Sequence, residues 1–234
     1  MKTSEIDEMN ISGAAALLAD PSRAAILTAL LDGRALPAGE LAYRARIAAP
    51  TASAHLAKLV EGGLLSVECV GRHKYFRLAG GEVAHAVEAL AALSPLPRPR
   101  EDDRANAYRD GLRDARTCYD HLAGRLGVAV TEGLVATGLL EPGAGVFEVT
   151  TPGAARLAQW GIDTDALRRG RRVFARACLD WTERRHHVGG AVGEALLGLW
   201  IKRGWIARVT GSRMILLTER GRAGFREEMG ARGI

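Results

Sequence analysis

The stretch from Ile47 to Leu78 leaves this chain few choices, because it sets a helix, its stop and a hairpin within one short span. Pro50 suits a first helical turn, where a missing N–H costs nothing, and Leu56, Leu59 and Val60 recur at the spacing of one buried helical face. Gly62 and Gly63 stop that helix. Thr51, Ser53, His55 and Lys58 are assigned to the opposite face, small or polar enough for the helix to enter the roughly 12 Å major groove of DNA. Leu64 to Val70 then reads as a strand, Gly71-Arg72-His73-Lys74 as a basic turn, and Tyr75 to Leu78 as a return strand. A groove-sized helix followed by a hairpin with a cationic tip predicts a winged helix whose tip reaches phosphate or the minor groove.

Upstream, Asp20-Pro21 supplies an N-cap and first-turn proline for a helix carrying Ile26, Leu27, Leu30 and Leu31, closed by Gly33. Pro37 to Arg46 makes a short helix before the groove-sized one, completing a helix-turn-helix with a wing. In order along the chain stand D-P-S-R-A-A-I-L-T-A-L-L, G-E-L-A, P-T-A-S-A-H-L-A-K-L-V-E-G-G-L-L and G-R-H-K-Y-F-R-L. On these motifs, over about residues 11–93, the chain resembles the ArsR/SmtB family of dimeric bacterial transcriptional repressors. The resemblance implies a homodimer that binds double-stranded operator DNA and releases it when an inducer binds. It does not name the inducer.

At 234 residues the chain is long enough for one large domain or two ordinary ones, and 47% apolar with 25% charged residues is the balance of a folded protein. No run approaches the roughly 18–20 apolar residues of a membrane span, and Met1-Lys2-Thr3-Ser4-Glu5 opens no signal core, so a cytoplasmic protein without a membrane partner is expected. Cys69, Cys118 and Cys178 are odd in number and lack a Cys-x-x-Cys spacing, which argues for free thiols. Charge is unevenly split: residues 1–97 carry 9 Lys/Arg against 10 Asp/Glu, whereas residues 98–234 carry 23 against 17. Arg168, Arg169, Arg171, Arg172 and Arg176 form a basic cluster that reads first as a solvated face or a partner for acidic residues of 101–120, and second as a DNA contact or anion site.

Ile6, Met9 and Ile11 suggest a helix within residues 1–19, and Val83, Ala86, Val87 and Leu90 a helix after the wing. Both are more apolar than one small domain can hide, which favours a two-fold interface. Ser94-Pro95-Leu96-Pro97-Arg98-Pro99-Arg100 reads as a stiff extended spacer. Beyond it the chain repeats itself. Ala115-Arg116-Thr117-Cys118-Tyr119-Asp120 matches Ala175-Arg176-Ala177-Cys178-Leu179-Asp180, His121…Gly124…Gly127 matches His187…Gly190…Gly193, and Thr150-Thr151-Pro152-Gly153 matches Thr218-Glu219-Arg220-Gly221. Trp181 to His186 reads as an insertion in the second copy. The expected architecture is mainly α: a winged helix-turn-helix DNA-binding and dimerisation domain over 1–93, a linker at 94–100, and a C-terminal module over 101–234. That module would hold two winged-helix-like repeats, at about 115–160 and 175–228. It resembles longer members of the ArsR-type family that carry C-Y-D-H-L-A-G together with C-L-D-W-x-E-R-R.

The metal sites that the resemblance would imply are absent. The helix before the groove-sized one reads Gly39-Glu40-Leu41-Ala42-Tyr43-Arg44 without a thiol, and after the wing only His85 and Glu88 stand where a zinc-type site needs two further ligands. Duplication places equivalent residues across one seam, so Cys118 and Cys178 become a soft pair for arsenic or antimony, zinc, or an oxidant that closes a disulfide. Asp120, His121, His186, His187 and Asp180 could complete a zinc site. Against this, both cysteines could be small buried hydrophobes, and Cys69 reads as core. Trp181, Trp200, Trp205, Tyr119, Phe147 and Phe174 read as core, or as an apolar pocket that with arginine would hold a small organic anion. No hydrolase, metalloprotease, phosphate-loop or dinucleotide motif is present, so catalysis is not expected. Thr51, Ser53 and His55 would address base edges or flanking phosphates, Lys58 a phosphate, and Arg72, His73 and Lys74 the wing contact. Two other functions stay open: a repressor answering a small organic ligand, and an architectural DNA-binding protein that answers none.

Overall fold

The computed structural model describes residues 11–95 and 102–230, and the chain divides into two compact units, Met1–Ala84 and His85–Ile234. Expectations for Ile6 and Met9 and for most of the 94–100 spacer fall outside the described residues. The division between units lies upstream of that spacer, within a helix.

The first unit contains α1 (Ser12–Leu18), α2 (Pro21–Ala29), β1 (Leu36–Pro37), α3 (Ala38–Ala45), α4 (Ala49–Glu61), β2 (Leu65–Val70) and β3 (His73–Leu78). Asp20 caps α2 by accepting from the amides of Ser22 at 2.9 Å and Arg23 at 3.0 Å. Arg46, in the left-handed region at φ 55°, ends α3 and turns the chain into α4. Ile26, Leu27, Leu41, Leu56 and Leu59 from the three helices close the core, and α2, α3 and α4 pack on one another. Strands β2 and β3 pair antiparallel from Leu65↔Leu78 to Val70↔His73 around Gly71-Arg72, and β1 extends the sheet only at Phe76 and Tyr75. Beyond that short third strand the hairpin is a two-stranded arm. This corrects the reading of Cys69 as core: it lies on the arm and is exposed.

Helix α5 (Gly81–Leu93) follows the wing and contains the boundary between the units. The second unit continues with α6 (Asp103–Asp114), β4 (Arg116–Cys118), β5 (His121–Ala123), α7 (Gly124–Ala136), β6 (Leu140–Pro142), β7 (Phe147–Val149), α8 (Thr151–Gln159) and α9 (Thr164–Arg169). It ends with β8 (Arg176–Leu179), β9 (His186–Gly189), α10 (Gly190–Lys202), β10 (Ile206–Arg208), β11 (Ile215–Leu217) and α11 (Glu219–Met229). Its strands form antiparallel hairpins, β4 with β5, β6 with β7, β8 with β9, and β10 with β11. Leu126, Val130 and Leu134 of α7 and Val192, Leu196 and Trp200 of α10 recur every four residues and meet in one core, where Trp200 and Trp205 abut Phe225 edge-on.

Two glycines let the chain turn from a hairpin straight into a helix. Gly124 (φ 79°) opens α7 and Gly190 (φ 70°) opens α10. An added Cβ would lie 2.7 Å from Arg113 O at the first and 2.3 Å from Val173 O at the second. Strand β4 reaches the later hairpin, with Thr117 N donating to Arg213 O (2.9 Å) and Ile215 N to Ala115 O (2.9 Å). Strand β8 reaches the earlier one, with Ala177 N donating to Gly145 O (3.1 Å) and Phe147 N to Ala175 O (2.8 Å). These exchanged bonds lock β4 and β8 in place.

Candidate DNA-reading surface and metal centre

On α4, Ala52, Leu56 and Leu59 face the core, while Thr51, Ser53 and Lys58 are exposed. The Ser53 hydroxyl donates back to Ala49 O at 3.0 Å and so is partly engaged within its own helix. His55 is less free than the other three. Its side chain is only 16% exposed, Nε2 stands 4.0 Å from Asp20 Oδ1, and Nδ1 is buried with no hydrogen-bond partner among the described residues. Helical spacing accounts for this, because position 55 is three residues after Ala52 and four before Leu59, within the buried stripe. Arg72, His73 and Lys74 are all exposed at the tip of the wing.

The second site is built by two hairpins. In β4–β5, Cys118 stands directly across from His121, with Tyr119 in the left-handed region (φ 59°) making the tight turn between them. In β8–β9, Cys178 stands directly across from His187. Cross-strand partners project on the same face of a hairpin, so each hairpin presents one sulfur and one imidazole together. The two hairpins face each other. Cys118 Sγ lies 3.7 Å from Cys178 Sγ, and His121 Nε2 lies 3.2 Å from His187 Nε2. All four ligand atoms lie within 4.8 Å of one another, and all four side chains are buried.

These separations can be compared with a metal's requirements. With Zn–S of about 2.3 Å and Zn–N of about 2.0–2.1 Å, tetrahedral angles set two sulfurs about 3.8 Å apart and two nitrogens about 3.3–3.4 Å apart. The observed edges, 3.7 Å and 3.2 Å, agree with both. Only one outward nitrogen is held by a carboxylate: His121 Nδ1 bonds Asp120 Oδ1 at 3.2 Å, whereas His187 Nδ1 stands 3.8 Å from Asp180 Oδ2, beyond hydrogen-bond reach, and is buried without a hydrogen-bond partner among the described residues. Such a partner fixes the His121 ring and leaves its Nε2 as the ligand atom. Asp120 therefore stands behind the imidazole rather than among the four converging atoms, and Arg172 holds it from the far side at 2.6 Å. His186, one residue before His187, is exposed.

Charge in the metal-free cluster is asymmetric. Burial disfavours the His121 imidazolium, but the Cys118 sulfur and the Asp120 carboxylate outweigh it and raise the group to about 10. Burial, then the neighbouring His121 charge, holds His187 well below the ordinary imidazole range. The hydrogen bond with Cys178, then burial, pushes the Cys118 thiol well up. One of the two Nε2 atoms of His121 and His187 carries the proton of their hydrogen bond, so the contact a metal would bridge is filled by a proton. Asp120 is held below the usual carboxylate range, since His121 and Arg172 outweigh its burial. Asp120→Asn is expected to lower metal affinity about 10–100-fold, the usual effect of losing such a partner. Competition against a chromophoric chelator measures it, and affinity equal to wild type would remove Asp120 from this role.

The comparisons with known proteins can now be set beside this geometry. A model of helix-turn-helix domains matches residues 18–68. YdfF of Bacillus subtilis (strain 168), an uncharacterized HTH-type transcriptional regulator, is 46% identical over 220 residues, spanning 94% of this chain and 97% of YdfF. The chain belongs to the ArsR/SmtB family of winged helix-turn-helix transcriptional regulators. The HTH-type transcriptional regulator CmtR of Mycobacterium bovis is 37% identical over 93 residues, 40% of this chain and 78% of CmtR. Among solved structures, the homodimeric winged helix-turn-helix DNA-binding domain of Mb0332 from Mycobacterium bovis is 29% identical, covers 36% of this chain and 76% of that one, and has a TM-score of 0.33.

In this ArsR/SmtB member, Glu88 of the incomplete half-site is ion-paired with Arg213. Two members of the basic cluster are engaged within the second unit: Arg172 bridges Asp120 and Glu194, and the Arg168 guanidinium lies 3.9 Å over the Phe174 ring. No described helix is long and apolar enough to cross a membrane. Gly189 and the ion pairing of Arg116 with Asp180, which was named only as a possible ligand, escape sequence reasoning. Gly189 must be glycine because a Cβ there would lie 2.8 Å from His121 Nε2. Arg116 and Asp180, both fully buried, join the two hairpins at 2.9 Å while Trp181 covers the guanidinium at 4.7 Å. The repeat pointed at Arg116, but its own equivalent, Arg176, gave no hint of a buried ion pair.

Proposed function

We propose that this protein is a homodimeric repressor that leaves its operator when a thiophilic divalent ion, zinc or a close relative, binds Cys118, Cys178, His121 and His187. The observation that carries the reading is the convergence of two thiols and two imidazoles at tetrahedral spacing in a buried site. Two sulfurs with two nitrogens are the donor set of zinc rather than of the hard cations. Arsenic or antimony, which seek thiolates, find only two here. The 3.7 Å between the sulfurs also favours a second input, an oxidant such as peroxide that removes two electrons and two protons to join them, and is itself reduced to water.

The reading treats residues 101–234 as a duplicated module and 1–93 as the DNA-binding and dimerisation domain. Duplication is favoured by the recurrence of hairpin, helix, hairpin and helix, by the paired glycines that open α7 and α10, and by Thr150 and Thr218. Each threonine accepts from a glycine amide three residues on, at 2.9 Å and 3.0 Å. A homodimer is favoured by exposed Ile11, Leu90 and Leu93 and by the absence of any buried residue from α1. Operator contact falls to Thr51, Ser53 and Lys58 on α4 and to Arg72, His73 and Lys74 on the wing, with His55 left to a positioning role against Asp20. Lys74→Ala is expected to weaken binding to all sequences and shallow the salt slope by about one; an unchanged slope would remove Lys74 from phosphate contact.

Fluorescence anisotropy of labelled DNA from upstream of the protein's own gene tests the reading. Stoichiometric zinc is expected to lower operator affinity about 5–150-fold, the range of ordinary allosteric coupling. Superimposable isotherms with and without zinc would overturn it.

A further inference from the structure

Resting on that reading of the metal site, we infer that helix α5 is the element through which the site is read, gripped by Arg213 beside Cys118 and by Arg184 between Cys178 and His187. Glu88 is a carboxylate in the middle of α5, and its side chain is only 2% exposed. A carboxylate so deeply buried needs a partner, and Arg213 is that partner. The same Arg213 guanidinium donates to Thr117 O at 3.3 Å, while Thr117 N donates to Arg213 O at 2.9 Å. Both backbone groups of the residue preceding Cys118 are therefore bound to one arginine, and that arginine's charge is bound to α5.

The other ligand hairpin has its own hold. Arg184 lies in the loop between β8 and β9, held in the left-handed region at φ 57°, and its guanidinium donates to Ser94 O at 2.6 Å, just past the end of α5. The base of this loop is fixed by Asp180, which accepts from the amides of Thr182 (2.9 Å) and Glu183 (3.0 Å). Each ligand hairpin is thus tied to one arginine, Arg213 of the β10–β11 loop for the first and Arg184 of its own loop for the second, and these arginines end on Glu88 of α5 and on Ser94 just past it. Any readjustment of the two hairpins around an ion is passed to Thr117 and the 180–186 loop, and with them to residues 88 and 94. Only two residues, Ala79 and Gly80, separate the end of the last wing strand at Leu78 from the start of α5. A displacement of this continuous helix is therefore delivered to the wing.

Three variants of the full chain test this: Glu88→Gln, Arg213→Lys and Arg184→Ala, the last at an exposed position so that the test survives if Glu88→Gln fails to fold. Zinc affinity is read by chelator competition, and operator affinity by anisotropy with and without zinc. Glu88→Gln and Arg184→Ala are expected to bind zinc and, without zinc, to bind operator, both within about threefold of wild type. Their zinc-induced loss of operator affinity is expected to fall from about 5–150-fold to under about twofold. Arg213→Lys, which keeps the charge, is expected to retain part of the response. By linkage, zinc affinity of the free and operator-bound variants converges. Variants that release operator as wild type does would overturn the role of α5. Wild type that binds zinc without releasing operator, or binds none, would overturn the proposed function and this inference with it.

Discussion

Cys118→Ser combined with Cys178→Ser is expected to weaken zinc binding by more than about a thousandfold and to leave operator affinity indifferent to zinc. The two sulfurs supply half of the ligand set, and closed zinc sites draw on apparent binding free energies of about 10–16 kcal/mol at neutral pH. A hydroxyl is a far poorer ligand than a thiolate, and His121 and His187 alone leave the ion half coordinated. The fold is expected to survive, because the sulfurs sit with Ala123 in a small apolar cluster apart from the main core. Wild type should also release at least two protons per ion at pH 7, one from His121, raised to about 10, and one from the Cys118 thiol. Calorimetry in buffers of different ionisation enthalpy counts them. Retained zinc affinity in the double variant, or uptake without proton release, would show that the ion sits elsewhere.

The second large effect concerns stability. Asp180 is fully buried and accepts five hydrogen bonds, from Arg116 (2.9 Å), the Gly124 amide (2.7 Å), the Thr182 hydroxyl (2.6 Å) and amide (2.9 Å), and the Glu183 amide (3.0 Å). Asp180→Ala leaves Arg116 charged and buried without its partner, a change that typically costs about 3–5 kcal/mol. In a unit of this size each kcal/mol lowers the melting temperature by about 2–4 °C, so a drop of about 10 °C is expected by calorimetry. A shift of under about 2 °C would show that the pair contributes little.

The same groups set the pH dependence of the metal-free protein. Burial opposes ionisation of Asp180, but the Arg116 charge outweighs it and holds the carboxyl well below its ordinary range. Its contribution is therefore present above about pH 4 and lost as pH falls further. His121 is raised, so its contribution is complete below about pH 6.5 and is lost as pH rises towards 10. His187 is depressed, so its contribution is complete above about pH 6.5 and is lost as pH falls. Metal-free protein should therefore be most stable near pH 6.5, with zinc removing the alkaline decline because the ligated His121 carries no proton to lose.

What could be read from the chain, and what could not, divides by the range of the interactions. Helix stops at Gly62 and Gly63, the Asp20 cap and the wing turn are local chemistry and needed no partner to be recognised. The equivalence of Cys118 with Cys178 and of His121 with His187 was visible because self-comparison supplies a long-range relation that a single pass does not. Cys69 was read as core from the composition of its strand, yet burial there depends on a third strand, and β1 reaches only Phe76 and Tyr75. His55 looked free because it is polar, whereas its spacing from Ala52 and Leu59 turns it inward. Helix α6 was not anticipated, since it has no buried residue among the described ones and so no apolar stripe to reveal it. The grip of Arg213 on Glu88 joins residues far apart in sequence, and no local pattern announces it.

X-ray absorption at the zinc edge of the loaded full-length protein tests the central claim most directly. Four-coordinate zinc with two sulfurs at about 2.3 Å and two imidazole nitrogens at about 2.0–2.1 Å is the expected spectrum, with one sulfur and one nitrogen removed in Cys118→Ser/His121→Ala. A first shell made of oxygen and nitrogen alone, unchanged in that variant, would contradict it.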